Sequence, residues 1–286
     1  MNIVNVDWQI TSTCNRKCNF CFGPVQQIAM LDKAVVYSLV DLFHATGITQ
    51  IGITGGEPLL RTDIDDIIGY IYEKGIQIYL STNCDFYDIH KKIIKEKVSI
   101  LGVPLDGSTD EVHAKHRGGG NFTSVLNSLN DILGHSIKLK IGTVVTKYNY
   151  NDLMNIERII RKYDENLLCW KIYDLVIYDK NSECSKDLFI NPCDYLSFVN
   201  SLGSYVHKDK IIYHSIENRD SCYFLIRPDG DVFVPKLNGQ LSTEIFLGNL
   251  LSTPLDIILD KWNQYVNSHG YLRRVAVYTK EGSRHE

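Results

Sequence analysis

Three cysteines within eight residues, Cys14-Asn-Arg-Lys-Cys18-Asn-Phe-Cys21, are the part of this chain best suited to chemistry. A loop can present three thiolates to one corner of an iron–sulfur cube, and such a cube needs four ligands, so one iron stays open. An open iron can bind a substrate or cofactor. The plainer alternative is a structural zinc site completed by a distant histidine, although zinc cysteines usually come as two separated pairs. The other cysteines, Cys84, Cys169, Cys184, Cys193 and Cys222, are scattered and read mostly as buried thiols.

Two lysines interrupt otherwise apolar, strand-like runs: Lys140 in Leu139-Lys140-Ile141-Gly142-Thr143 and Lys171 in Trp170-Lys171-Ile172-Tyr173. Period-two alternation sets Lys140 with Gly142 on one face, and Lys171 with Cys169 and Tyr173 on one face. If those faces point inward, two ammonium groups meet in a pocket and an anionic substrate follows; if not, both lysines snorkel to water. Tyr223 and Cys222 are candidate hydrogen-atom donors, a phenol and a thiol. As neighbours on a strand they face opposite sides, and Tyr223 is the preferred one.

The chain has 286 residues, 44% hydrophobic, with a formal net charge of −4. That length can bury one large core, and the charge supplies no field for a nucleic-acid polymer. No apolar run approaches a membrane span, and the N-terminus lacks the regions of a signal peptide, so a cytoplasmic location is expected. Apolar β-branched runs alternate with helix-like segments, the pattern of consecutive βα units. Strands are expected at 4–11, 50–54, 76–82, 98–105, 137–145 and 168–177, and helices at 32–45, 63–74, 87–96, 121–134 and 150–163. Right-handed crossovers curl six such steps toward a barrel, with chemistry at the carboxyl ends of the strands. The cysteine loop follows the first strand. After residue 205 come short strands at 211–214, 223–227 and 232–234, a hairpin turn at Pro228-Asp229-Gly230, a helix near 254–266 and a solvated tail from 280.

These features resemble the radical S-adenosylmethionine (SAM) superfamily, whose signature is C-x₃-C-x₂-C with an aromatic residue, here Phe20, before the last cysteine. The resemblance covers roughly residues 5–180 and implies an α/β fold, a partial (β/α)₆ TIM-like barrel. It makes Cys14, Cys18 and Cys21 the ligands of one [4Fe–4S] cluster that reductively cleaves SAM to a 5′-deoxyadenosyl radical. Thr54-Gly55-Gly56-Glu57-Pro58 matches the segment that holds the SAM amino group, where paired glycines admit close backbone approach. Ser81-Thr82-Asn83 is similar to the segment bonding the ribose, and Asp106 falls where relatives use an acid near it. His113-Ala-Lys-His116-Arg117-Gly118 looks like a motif whose arginine pairs with the SAM carboxylate. Asn149 resembles an asparagine near the adenine. The resemblance also implies an electron donor such as flavodoxin or ferredoxin.

Residues 1–205 then form the catalytic domain, and 206–286 a small α+β appendage like the half-size "twitch" scaffold. Its Arg227-Pro-Asp-Gly-Asp-Val-Phe-Val-Pro235 frame lacks the cysteine that would hold an auxiliary cluster. Lys140, Lys171 and Tyr223 also resemble positions of the viperin family, which dehydrates the ribose of nucleoside triphosphates: two phosphate-binding lysines and a tyrosine hydrogen donor. Gly142 and the segment 118–122 depart from that pattern. The expected activity is hydrogen abstraction from a small polar substrate, a nucleotide being one candidate. Modification of a ribosomally made peptide and a catalytically inactive cluster-bearing sensor are the rivals.

Overall fold

A computed structural model describes residues 5–21, 27–178, 188–190, 208–214, 223–238 and 241–268. The chain alternates β1 (Asn5–Gln9), α1 (Lys33–Ala45), β2 (Gln50–Thr54), α2 (Ile64–Glu73), β3 (Gln77–Ser81), α3 (Tyr87–Lys97) and β4 (Ile100–Pro104). Next come α4 (Asp110–Arg117), α5 (Asn121–Ile132), β5 (Lys138–Val145), α6 (Leu153–Ile160) and β6 (Leu167–Asp174). The final elements are β7 (Ile177–Tyr178), β8 (Ile211–His214), β9 (Leu225–Ile226), β10 (Asp231–Asn238), β11 (Leu241–Asn249) and α7 (Leu255–Ser268).

Strands β1 to β6 pair in parallel and in chain order, the arrangement expected of successive βα units. The full order is β7-β11-β10-β9-β1-β2-β3-β4-β5-β6-β8, one sheet that curls without closing. Both edges of the six-stranded part are extended. β8 lies parallel to β6, and β9 lies parallel to β1 before turning through Pro228–Gly230 into antiparallel β10. The strand expected at 168–177 ends at Asp174, and β7 pairs instead with β11.

Alternation along each strand divides the residues into two layers. Val6, Trp8, Ile51, Ile53, Ile78, Leu80, Leu139 and Ile141 are buried under the helices. Helix α2 meets them with Ile64, Ile67, Ile68 and Ile71, the i, i+3, i+4, i+7 stripe of an amphipathic helix, and carries Asp65 and Asp66 in its first turn. Trp8 packs edge-on against Phe43 of α1 with ring centroids 5.7 Å apart. This outer layer is the core; the inner faces of the strands line the barrel.

Helix α4 escapes apolar periodicity because its buried residues are His113 and His116. Its ends are nevertheless well written. Thr109 caps it by accepting from the Val112 N–H, Asp110 and Glu111 open it, Lys115, His116 and Arg117 close it, and Gly118 stops it at φ +84°. That termination fixes where Arg117 points.

Candidate active site

The cysteine loop leaves the carboxyl end of β1, and its backbone is stitched to the loop after β2. Gly56 N donates to Thr11 O at 2.7 Å, and Glu57 N donates to Thr13 O at 2.8 Å. A Cβ on Gly56 would stand 2.2 Å from Thr13 O, and one on Gly55, at φ +149°, would stand 2.4 Å from Thr11 O. The paired glycines therefore serve first to let two backbones touch. Glu57 is fully buried. Its carboxylate accepts from Thr82 Oγ1 at 2.7 Å, Asn83 N at 2.7 Å and Leu59 N at 3.1 Å. Burial pushes its carboxyl up, and those three donors oppose the shift. Thr54 and Ser81 are half-buried at the ends of their strands.

Cys14 is exposed, and Cys18 and Cys21 are half-buried. Asn83 Nδ2 lies 4.0 Å from Cys14 Sγ, and Arg117 Nη1 lies 3.9 Å from Cys18 Sγ. The Arg117 guanidinium also covers the Phe20 ring at 5.2 Å, and Phe20 packs against His116. On the far side Arg117 Nε donates to Asp106 Oδ2 at 2.5 Å. Asp106 is fully buried; burial opposes its charge, but Arg117, His116 and His113 outweigh it and hold the carboxyl below the ordinary carboxylate range. The other Asp106 oxygen accepts from Val144 N.

Asn149 is committed to the protein. Its Nδ2 donates to Asp106 O and Val144 O, and its Oδ1 accepts from Thr146 N.

A polar chain that sequence reading did not assign joins these parts. Arg16, inside the cysteine loop, grips both oxygens of Asp85 and donates to the carbonyls of Arg117 and Gly118. Asp85 also accepts from Asn121 Nδ2 and Asn15 Nδ2. Burial pushes the Asp85 carboxyl up, yet the bonds from Arg16, Asn121 and Asn15 win and draw it down. Asn121 Oδ1 meets His113 Nε2 at 2.9 Å, while His113 Nδ1 accepts from Asp106 N. Burial lowers the affinity of His113 for a proton, so the neutral ring bridges the two. Cys84, at φ +71°, turns the chain so that Asp85 reaches Arg16. None of these residues belongs to a periodic pattern; the visible signals are the place of Arg16 inside the cysteine motif and of His113 at the head of the His113–Gly118 segment.

The two lysines point into the barrel. Lys171 is 5% exposed, and Lys140 Nζ sits 4.1 Å from the Tyr79 ring centroid. A register shift between Leu139 and Lys140 brings Lys140 opposite Cys169, Gly142 opposite Lys171 and Val144 opposite Tyr173. Tyr173 contacts His214 with ring centroids 5.2 Å apart. Tyr223 is half-buried just before β9, whose Leu225 pairs with Asp7, so it stands near the amino end of β1, away from the cysteines. Cys222, Cys184 and Cys193 lie outside the described residues.

The donor set fits an iron–sulfur cube. Among the described residues no three His, Cys, Asp or Glu side chains converge as they would on a single ion. Arg16 N and Asn83 Nδ2 donate toward Cys14, and the Arg117 guanidinium stands beside Cys18, as suits an anionic cluster.

The model of the family described as "Radical SAM superfamily" matches residues 8–160. The chain belongs to that superfamily, whose enzymes use a [4Fe–4S] cluster and S-adenosylmethionine. Among curated proteins it is 30% identical over 184 residues to Fe-coproporphyrin III synthase of Methanosarcina barkeri, covering 62% of this chain and 45% of that one. It is 32% identical over 170 residues to GTP 3′,8-cyclase of Limosilactobacillus fermentum, covering 55% and 51%. The chain thus spans about half the length of these relatives. Among solved structures, anSMEcpe with bound AdoMet and Cp18Cys peptide superposes with a TM-score of 0.72 at 16% identity, covering 96% of this chain and 86% of that one. Streptococcus suis SuiB bound to S-adenosylmethionine gives 0.67 at 14%, covering 80% and 59%. At these identities the likeness is one of fold: a parallel α/β partial barrel.

Proposed function

We propose that this radical SAM enzyme abstracts a hydrogen atom from a small polar substrate whose anionic group lodges against Lys140 and Lys171. When bound, the cluster and SAM would supply a 5′-deoxyadenosyl radical. In this reading Cys14, Cys18 and Cys21 hold the cluster and Arg117 neutralises the SAM carboxylate. The backbone at Gly55–Glu57 receives the SAM amino group, while Ser81, Asn83 and Asp106 border its ribose and Asn149 shapes the wall beside the adenine. Tyr173 flanks the substrate.

The observation that carries the substrate class is the burial of Lys171 at 5% exposure on an inward strand face. With Lys140 on the same face of the neighbouring strand, Lys171 adds a second cation to the inner surface, which favours an anionic group there. A nucleotide is one candidate, in keeping with the GTP named for a relative. Electrons come from a flavodoxin or ferredoxin in the cytoplasm. No helix among the described residues is long and apolar enough to cross a membrane.

The test is anaerobic reconstitution, addition of reductant and SAM, and measurement of 5′-deoxyadenosine across a panel of nucleotides, sugars, carboxylic acids and peptides. A rise with one small anionic compound supports the reading. A rise with peptides alone transfers the enzyme to peptide modification.

A further inference from the structure

Val6, Trp8 and Ile10 pack into the outer core, so alternation along β1 turns Asp7 and Gln9 toward the lumen. Gly52 on β2 makes room for the first of these: a Cβ there would stand 2.2 Å from Asp7 Oδ1 and 3.3 Å from Tyr79 Cδ1. Gln9 stands one layer higher, at the carboxyl end of β1, in register with Thr54 and five residues before Cys14. Its backbone is fixed at that height, since the next residue, Ile10, donates its N–H to Thr54 O at 2.9 Å.

Gln9 is 4% exposed. The other buried carboxamides are used within the chain: Gln50 pairs with Gln77, and Asn83, Asn121, Asn149 and Asn166 donate to side chains or carbonyls. The Gln9 amide has no hydrogen-bond partner among the described residues. Nor is it sealed in the core, as Trp8 Nε1 is, so its polar end opens on the lumen. On the same wall Tyr79 leans from β3 over β4, its hydroxyl 2.5 Å from where a Gly102 Cβ would stand, and that hydroxyl too has no hydrogen-bond partner among the described residues. An amide held almost out of water and left unpaired costs stability that an apolar side chain of the same shape would not. Its position, at a strand end beside the cysteine loop, suits a ligand and does nothing for the fold.

We propose that Gln9 is a specificity-determining residue that hydrogen-bonds an uncharged hydroxyl or amide group of the substrate at the end of the lumen nearest the cysteine loop. A carboxamide carries both donors and an acceptor, so it can give a bond to such a group and take one from it. An analogue lacking the group would leave the buried amide unpaired, which is how a site of this kind rejects it. The inference rests on reading the lumen as the substrate site and narrows the substrate to compounds that bear a hydroxyl or amide.

The test compares wild type, Gln9→Met and Gln9→Leu as reconstituted protein, each checked for an intact cluster by its visible spectrum. Melting without added small molecules comes first. An amide kept for a ligand should be a burden to the fold, so the better of the two variants should melt about 2 °C or more above wild type. A lower midpoint in both variants marks a structural amide and overturns the proposal by itself. The second measurement adds SAM, reductant and matched probes that differ by one polar group: malate against succinate, GTP against 2′-deoxyGTP, and asparagine against 2-aminobutyrate. In wild type one hydroxyl- or amide-bearing probe should raise kcat/KM for 5′-deoxyadenosine formation about tenfold or more above its counterpart, and in the variants that ratio should fall toward one. A ratio near one in wild type, or an unchanged ratio in the variants, overturns the proposal. Failure of the underlying reading looks different: none of the six probes stimulates the wild-type enzyme, while peptides do.

Discussion

Arg16 and Asp85 stand 69 residues apart in sequence, yet the Nε and Nη2 atoms of Arg16 meet the two carboxylate oxygens of Asp85 at 2.5 and 2.7 Å. Because Arg16 lies between Cys14 and Cys18, this fork ties the cysteine loop to the carboxyl end of β3. Its third nitrogen ties the same loop to the end of α4. A bidentate charged pair that is 13% exposed on each side is shielded from water well enough to hold a loop in shape.

Asp85→Asn keeps the size of the side chain and removes the charge. Charge-assisted bonds are worth about 1.5–3 kcal/mol, so the urea midpoint of the cluster-free protein should fall by a comparable stability loss. The reconstituted variant should also surrender iron to a chelator several times faster than wild type. Arg16→Lys, which cannot form the fork, should do the same. Equal chelation rates in all three proteins would show that the fork is ornamental to the cluster loop.

The cysteine triad makes a compositional prediction. Anaerobically reconstituted protein should bind about four irons per chain, as one cube requires, and the Cys14/Cys18/Cys21→Ala variant almost none. Stoichiometric zinc with no iron uptake would falsify the assignment.

How much of this site could be read from sequence depends on the kind of signal each residue leaves. Strands β1 to β6 were legible because β-branched runs and amphipathic helices repeat with fixed periods, and α2 shows four isoleucines in one stripe. Helix α4 was not, since histidines fill its buried face. The cysteines and Gly55–Glu57 announced themselves by spacing. What those glycines do first, admitting the backbone of Thr11–Thr13, is a tertiary contact with no local signature. Asp7 left no local signature either: the space its carboxyl group fills is made by Gly52 on the neighbouring strand.

Gly56→Ala tests the stitched loops. The new methyl would meet the carbonyl of Thr13, a backbone atom that cannot rotate aside. A cost of about 1–3 kcal/mol is expected for such overpacking, with reduced iron uptake because the displaced segment leads into Cys14. Gly119→Ala is the control, since nothing lies within 4 Å of its Cβ position. It should shift stability by less than about 0.5 kcal/mol. A Gly56→Ala protein with wild-type melting and full iron content would refute the close-contact role.

Asp106 makes a prediction about acid. Its folded-state pKa lies below the ordinary value of 3.8, so its charge stabilises the fold above that value. The contribution disappears as pH falls through the lower, folded pKa. Asp106→Asn should therefore be destabilised at neutral pH, and the gap to wild type should narrow as the medium is acidified below pH 3.8. Melting curves of the cluster-free proteins across that range read the convergence directly. A gap that stays constant would mean that packing, not charge, holds Arg117 to this site.

Lys140 and Lys171 carry the substrate reading, and they can be separated from the rest of the chemistry. Lys140 rests on Tyr79, and Lys171 pairs in register with Gly142 on the neighbouring strand. Substitution by methionine keeps most of the volume and removes the charge. In each variant the ratio of 5′-deoxyadenosine formed with and without the stimulating compound should fall toward one. The loss should appear mainly as a raised KM, because an anion that loses a partner ammonium binds more weakly before any bond breaks. The double variant should lose more than either single one but less than their sum if both ammoniums grip the same anionic group, since losses within one contact do not simply add. Stimulation that persists at full strength in both single variants would move the substrate out of this part of the barrel.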